Sequence, residues 1–156
     1  RALGDSMKLY RRYKTPFSLI SLDIDHFKRI NDSYGHLVGD RVLSKIGKLM
    51  KNRLRVTDIV GRMGGEEFLV ILPNTSEEEA IQIADNFRQV VNQTEFLNED
   101  YIPFVVAVSG GVLEMTDDVT SVEDLLKRSD RLLYEAKESG RNMILNKQSH
   151  RKSQCR

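Results

Sequence analysis

The sequence predicts an α/β (α+β) domain in which helices flank a mixed central sheet. Two observations favour this class: apolar residues recur at three- and four-residue spacing in four segments, and short apolar segments typical of strands lie between them. The 156 residues are enough for about one domain with a sizeable core. We expect that domain to span residues 1–146, followed by a basic disordered tail over residues 147–156.

The first half of the chain predicts a helix, a strand, a second helix and a hairpin. The chain opens on a helical pattern without a capping signal, so we expect it to be part of a longer protein. Residues 17–25 alternate between two faces and predict a strand that ends in two carboxylates. Residues 36–54 predict an amphipathic helix. The paired glycines Gly64 and Gly65, between two apolar segments, predict a β-hairpin with Glu66 and Glu67 at its tip.

The second half predicts two further helices and two strands. Ser76 with Glu79, and Ser121 with Asp124, are capping boxes that mark the starts of the helices. Between these helices, residues 102–113 predict one apolar strand, in which Gly110 and its neighbour allow a bulge or a close backbone approach. Residues 143–145 predict a short last strand. The expected order is therefore α-β-α-β-β-α-β-α-β.

Composition excludes several classes of protein. The 24 Lys and Arg residues against 23 Asp and Glu leave a net charge of +1, so we expect no nucleic-acid partner and no membrane contact by this domain. The longest apolar runs have five residues, far below the ~20 that span a bilayer. The single Cys155 excludes a disulfide scaffold and fits a reducing compartment, so we expect a cytoplasmic location.

Four carboxylates would gather if the hairpin pairs beside the strand that ends at residue 25. They are Asp23, Asp25, Glu66 and Glu67. Hard oxygen ligands of this kind suit Mg²⁺, which prefers one or two carboxylates together with substrate phosphates. Taken singly, each acid is better explained as a solvated group at a strand end or a turn.

Three cations are candidates for binding phosphate. The segment His26-Phe27-Lys28 leads from the strand into a helical turn, where free amides and a lysine would face an anion. Lys137 and Arg141 lie four residues apart at the end of the last long helix, on one face if the helix continues. The alternative for this pair is that it simply complements the helix dipole.

Asn31, His36 and Asp40 form a polar set between the first strand and the second helix. An aspartate can accept hydrogen bonds from N1–H and N2–H₂ of guanine, for which adenine offers no matching donors. The alternative is that this stretch is a turn signal and that His36 is an ordinary N-terminal helix residue.

Successive blocks of the chain resemble the signatures of the GGDEF family, the diguanylate cyclases. The blocks are DIDHFKRINDSYGHLVGD at 23–40, RMGGEEF at 62–68, VSGGV at 108–112 and LYEAKESGRN at 133–142. The resemblance runs over residues 17–145, with the signature in its GGEEF form. It implies a palm-like nucleotide cyclase fold in which two GTP-loaded domains form a homodimer and join their nucleotides into cyclic di-GMP, with release of pyrophosphate.

The resemblance also assigns roles to residues. It implies that Asp23, the backbone carbonyl of Ile24 and Glu66 hold Mg²⁺, or Mn²⁺ in its place. Glu66 or Glu67 would help to deprotonate the ribose 3′-hydroxyl. The implied substrate-binding residues are Phe27, Lys28, Asn31, His36, Asp40, Lys137 and Arg141. Of these, the three cations would hold phosphates, and the asparagine and the aspartate at 40 would read guanine.

Arg55-Val-Thr-Asp58 stands at the family's spacing for a product-binding site, five residues before Gly64. The resemblance therefore implies that cyclic di-GMP inhibits the enzyme. Without that spacing, a surface ion pair would be the better interpretation.

Two features depart from the family pattern. The opening Asp-x-Leu-Thr block is absent, because the chain starts where its final Arg would lie; that block connects to regulatory domains, so we expect an N-terminal sensory or regulatory domain in the full-length protein. Gly110 stands where the family more often has a large aliphatic residue, and we expect it to loosen the strand.

Two rival functions differ in class from the cyclase. A degenerate family member would bind GTP or cyclic di-GMP as a non-catalytic receptor, but the acids Asp23, Glu66 and Glu67 and the cation Lys28 are intact. An enzyme of altered base choice would make cyclic GMP-AMP, which accompanies replacement of the residue at position 40; Asp40 argues against it.

Overall fold

The computed structural model describes residues 1–147. The expected tail lies outside the described residues, apart from Lys147. The helices are α1 (Ala2–Tyr13), α2 (Phe27–Tyr34), α3 (His36–Lys51), α4 (Glu77–Gln93) and α5 (Val122–Glu138). The strands are β1 (Phe17–Ile24), β2 (Ile59–Met63), β3 (Glu67–Pro73), β4 (Phe96–Leu97), β5 (Pro103–Phe104), β6 (Val108–Glu114) and β7 (Ile144–Leu145).

Five strands form one mixed sheet in the order β2-β3-β1-β6-β7. All neighbours pair antiparallel except β6 and β7, which are parallel. Every residue of the central strand β1 is buried. The predicted class, a mixed sheet flanked by helices, is confirmed.

Helices cover both faces of the sheet because side chains alternate along β1. Ile20, Leu22 and Ile24 point to the layer formed by α2, α3 and α4. Phe17 and Leu19 point to the layer formed by α1 and α5. By the same alternation, Asp23 lies on the α5 face of the sheet.

The local start and turn signals are confirmed. The Ser76 hydroxyl accepts a hydrogen bond from the Glu79 amide at 3.2 Å, and the Ser121 hydroxyl accepts one from Asp124 at 3.0 Å. The hairpin turns at Gly64, whose φ of 68° is in the left-handed region that favours glycine. No helix in residues 1–147 is long and apolar enough to cross a bilayer.

The prediction of one continuous strand over residues 102–113 is wrong, because the segment forms two separate strands, β5 and β6. Phe104 pairs with Phe96 in a separate two-stranded sheet and stacks on Tyr34, with 4.4 Å between ring centroids. The chain then leaves strand geometry at residues 105–107, and Val105 is 71% exposed, before β6 joins the main sheet. The expected order also omitted α2, which is a full helix of 8 residues rather than a single turn.

The close backbone approach expected at Gly110 is confirmed, and the pairing of β6 with β1 continues through it without a bulge. A Cβ atom on Gly110 would lie 2.7 Å from the Ser21 carbonyl oxygen, and one on Gly111 would lie 2.6 Å from the Leu132 Cβ. Both glycines therefore let neighbouring elements pack closely.

Candidate functional site

Asp23 is a buried carboxylate with one unsatisfied oxygen. It lies near the end of β1 and is 6% exposed. Its Oδ2 accepts a hydrogen bond from the Lys137 ammonium on α5. Its Oδ1 is buried and has no hydrogen-bond partner within the described residues. Because an unpartnered buried oxygen costs free energy, this atom fits a bound cation or donor.

The hairpin tip docks against the same end of β1. The Ile24 amide donates a hydrogen bond to the Glu66 carbonyl at 3.3 Å, and Glu67 stands opposite Asp23 in the β1–β3 register. The pairing of hairpin and strand on which the carboxylate cluster depended is therefore present. It brings the backbone of Ile24 and the two hairpin acids beside Asp23.

These acids produce a negative electrostatic potential at this end of β1. Burial raises the pKa of Asp23, against the opposing effect of the Lys137 hydrogen bond, and Glu66 and Asp25 raise it further. Burial, and then the charges of Asp130 and Asp23, raise the pKa of Glu67. Buried carboxylates with raised pKa values favour a nearby positive charge.

Three of the four carboxylates, those of Asp23, Glu66 and Glu67, meet at this end of β1, but they do not form a set of ligands around one ion. Within residues 1–147, no three His, Cys, Asp or Glu side chains come together as ligands of one ion. Asp25 turns away instead, because the Ser109 hydroxyl at 2.7 Å and the Asn142 amide at 2.9 Å occupy its two oxygens. The remaining oxygen donors, from Asp23, Ile24 and Glu66, are hard ligands whose chemistry fits Mg²⁺ or Mn²⁺.

The two cations expected at the end of the last long helix do not share a helical face. The helix α5 ends at Glu138, and Gly140 and Arg141 then adopt φ values of 118° and 64°. The Arg141 amide donates back to the Ala136 carbonyl at 3.0 Å, which closes the helix end. Lys137 still reaches Asp23, whereas Arg141 lies in the turn beyond the helix.

The remaining expected substrate-binding residues lie on α2 and at the start of α3. His26 precedes α2 with φ of 56°, which places the half-buried Phe27 and the exposed Lys28 in the first turn. His36 and Asp40 are exposed on α3. Asn31 on α2 faces α3 so closely that a Cβ on Gly39 would lie 1.8 Å from its Oδ1.

The segment Arg55–Asp58 forms a closed turn. The Arg55 amide donates to Asp58 Oδ2 at 2.8 Å, and the guanidinium donates to Asp58 Oδ1 at 3.1 Å. The same guanidinium donates to the Pro73 carbonyl at 3.0 Å and to the Thr75 hydroxyl at 2.7 Å. Pro73 and Glu67 are opposite ends of β3, so this turn is about 20 Å from the hairpin tip.

The hydrogen-bond network around Asp25 was not predicted from the sequence. Ser109 and Asn142 bind its carboxylate, and Arg88 on α4 binds Asn142. One signal was available: Asp25 and Ser109 are polar residues directly beside apolar strand segments, where a buried polar group needs a partner.

Comparisons with known proteins agree on one family. Residues 1–143 match the family described as "Diguanylate cyclase, GGDEF domain". Diguanylate cyclase A of Treponema denticola is 40% identical over 131 residues, which are 84% of this chain and 35% of that protein. The structure of the active GGEEF domain of a diguanylate cyclase from Vibrio cholerae matches with a TM-score of 0.86 and 35% identity, over 93% of this chain and 91% of that one.

The GGDEF domain of DgcB from Caulobacter crescentus, solved in complex with c-di-GMP, matches with a TM-score of 0.88 and 27% identity. The match covers 93% of this chain and 85% of that one. The chain spans about a third of the length of the curated relatives it matches.

Proposed function

The chain belongs to the GGDEF family of diguanylate cyclases, and on that premise we propose that it condenses two molecules of GTP into cyclic di-GMP and releases two of pyrophosphate. The observation that carries the proposal is the buried Oδ1 of Asp23, which has no partner among the described residues and lies beside the hairpin that bears Glu66 and Glu67. A carboxylate left unsatisfied in this way suits a site that is completed by a metal-bound nucleotide.

Asp23, the Ile24 carbonyl and Glu66 would hold Mg²⁺, or Mn²⁺ in its place. When bound, the ion lowers the charge of the triphosphate and favours departure of pyrophosphate. Lys137, now bonded to Asp23, is close enough to that carboxylate to bind a phosphate oxygen beside it. Lys28 and Arg141 supply the further positive charges.

The guanine base would lie against α2 and α3. Asn31 and Asp40 would read its edge, with the carboxylate accepting from N1–H and N2–H₂. Phe27 and His36 would line the same pocket. The close packing of Asn31 on Gly39 supports this role, since it fixes the asparagine beside the residue that precedes Asp40.

In each of the two condensations, the 3′-oxygen of one GTP attacks the α-phosphorus of the other. The bond from that phosphorus to the pyrophosphate oxygen breaks, and the hydroxyl proton passes to a carboxylate. Glu67 is suited to accept it because its raised pKa makes it a better base than an ordinary glutamate. One chain supplies half of this arrangement, so the active species is a homodimer.

The proposed enzyme would be regulated by its product. Cyclic di-GMP would bind at Arg55 and Asp58 and inhibit the enzyme. The curated relatives are about three times as long as this chain, which supports a sensory or regulatory domain N-terminal to it. The single Cys155 fits a cytoplasmic location.

Chromatography of products after incubation with GTP and Mg²⁺ tests the proposal. We expect cyclic di-GMP and pyrophosphate in a ratio of one to two. A folded protein that binds GTP without converting it would instead be a receptor. A mixed product from GTP and ATP together would indicate altered base choice.

A further inference from the structure

We propose that Asp25 is a positioning residue, which holds the turn after α5 and so presents Arg141 to the substrate phosphates. The inference rests on the proposed function for the role of Arg141, but the geometry of the turn is independent of it. Asp25 and Asn142 are 117 positions apart in the sequence and are joined directly by a hydrogen bond.

Asp25 is fully engaged on one side of the turn. It is 6% exposed, its Oδ1 accepts from the Ser109 hydroxyl at 2.7 Å, and its Oδ2 accepts from the Asn142 amide at 2.9 Å. The same amide lies 3.0 Å from the Ser109 hydroxyl oxygen. Because both carboxylate oxygens are occupied, Asp25 is bound to the turn rather than free to ligate an ion.

Arg88 holds the turn from the other side. Its Nη1 donates to the Asn142 side-chain oxygen at 3.1 Å, and its Nε donates to Asp85 at 2.7 Å on the same helix α4. Asn142 is thus held between the central strand and α4. The Met143 carbonyl then accepts from the Gly110 amide at 3.0 Å, which carries the anchoring into β7.

The turn needs this anchoring because its backbone is strained. Gly140, Arg141 and Asn142 have successive φ values of 118°, 64° and 48°. Non-glycine residues in the left-handed region persist where surrounding contacts over-determine them. Without the bonds to Asn142, the turn would relax towards other conformations.

Arg141 lies between two fixed amides, and its side chain has no partner among residues 1–147. Its own amide is bonded to Ala136 and the next amide to Asp25. Its guanidinium makes no hydrogen bond or ion pair within residues 1–147, so it is available to an anion. The hydrogen bonds to Asn142 therefore fix the position of the Arg141 guanidinium.

Two variants and one matched control test the inference. Ser109→Ala removes a hydroxyl without a change of charge, and Asp25→Asn removes the carboxylate. Ser21→Ala is the control, since Ser21 is also a buried serine of the sheet, bonded to the α5 carbonyl of Ser129 rather than to the turn. Circular dichroism checks that each variant folds.

Amide hydrogen exchange at Asn142 gives a readout that does not depend on activity. We expect exchange at least about tenfold faster in Asp25→Asn and Ser109→Ala, and unchanged in Ser21→Ala. Unchanged exchange in both test variants would overturn the inference whatever the enzyme does. The exchange measurement remains valid if the wild type makes no cyclic di-GMP. That outcome would refute the proposed function and would leave the anchoring of the turn by Asp25 unaffected.

Steady-state kinetics supply the second readout. We expect Asp25→Asn and Arg141→Ala each to raise KM for GTP by about 10- to 100-fold, because a misplaced phosphate ligand is nearly as costly as a missing one. The double variant should be little worse than Arg141→Ala. Effects that multiply in the double variant would show that Asp25 acts independently of Arg141, and would contradict the proposal.

Discussion

Asp23 is a buried, charged side chain, and one of its carboxylate oxygens has no hydrogen-bond partner among the described residues. Lys137 is its counter-ion, and Oδ1 has no donor in the described part of the chain. This is an unfavourable arrangement for stability alone. It suits a residue whose bonding is completed by substrate and metal.

Asp23→Asn and Glu66→Gln should each lower turnover by more than about 100-fold, because loss of a residue that supports a metal ligand already costs about 10- to 100-fold. Both variants should remain folded, since each replacement has the same shape and Asn can still accept from Lys137. Initial rates with GTP and Mg²⁺, with circular dichroism as the folding control, check this. Turnover near the wild-type rate by either variant would refute the metal-site assignment.

The central strand β1 and its two neighbours, β3 and β6, determine the surroundings of Asp23. The β1–β3 register brings the hairpin acids to Asp23, and β6 reaches the other side of β1 through two glycines that leave no room for side chains. Gly111 lets α5 pack closely on the sheet, whereas Gly110 lets β1 and the Ile144 side chain approach it.

Gly111→Ala should destabilise the domain by about 1–3 kcal/mol, the usual cost of overpacking, because the new Cβ would lie 2.6 Å from the Leu132 Cβ. Gly47→Ala is the matched control: Gly47 is a helical glycine with nothing within 4 Å of the new atom, and the change should stabilise α3 by about 0.5–1 kcal/mol. Urea unfolding measures both. Equal stability of Gly111→Ala and wild type would show that the sheet accommodates the methyl group.

The loop before α5 should make stability depend on acid pH. Hydrogen bonds from Thr116 and Arg128 lower the pKa of Asp118 to about 2. A carboxyl group with a lowered pKa in the folded state adds stability above its unfolded value, near 4, and loses it as pH falls to about 2. The melting temperature of Asp118→Asn should therefore be below wild type at pH 6, and the difference should vanish near pH 2.

Asp100→Asn serves as the control, because the exposed Asp100 carboxylate makes no hydrogen bond within the described residues. Its melting temperature should follow that of wild type at every pH. A difference between Asp118→Asn and wild type that persists at pH 2 would contradict the assigned cause.

The whole domain carries half of the proposed catalytic arrangement, so activity should depend on association. We expect the rate per protomer to rise with protein concentration while dimers are weak, by mass action. A dilution series of initial rates, with light scattering in parallel, measures this. Constant specific activity from a protein that stays monomeric would contradict the homodimer.

Product inhibition should act from the far end of β3. Because Arg55 and Asp58 lie about 20 Å from the hairpin tip, inhibition should be non-competitive with GTP and should require opening of the Arg55–Asp58 ion pair. Arg55→Ala should relieve inhibition by added cyclic di-GMP and leave the initial rate without product unchanged. Arg53→Ala, a nearby exposed arginine, is the control; equal inhibition of Arg55→Ala and wild type would show that the turn is only a surface ion pair.

Local patterns predicted much of this molecule, because periodicity, caps and paired glycines act over a few residues. They placed the helices other than α2, the hairpin and the capping serines, and the motif residues identified the family that the comparisons confirm. They also selected Asp23 and Lys137, which the fold joins.

Long-range contacts determined the rest. Phe104 leaves the main sheet to pair with Phe96 and stack on Tyr34, which splits an apolar run that reads locally as one strand. Asp25 binds Asn142 across 117 positions instead of joining the acidic cluster. Arg141 leaves the helical face because α5 ends at Glu138 and the chain turns at Gly140. A buried polar group takes the partner that packing brings within reach, and the neighbouring sequence does not specify that partner.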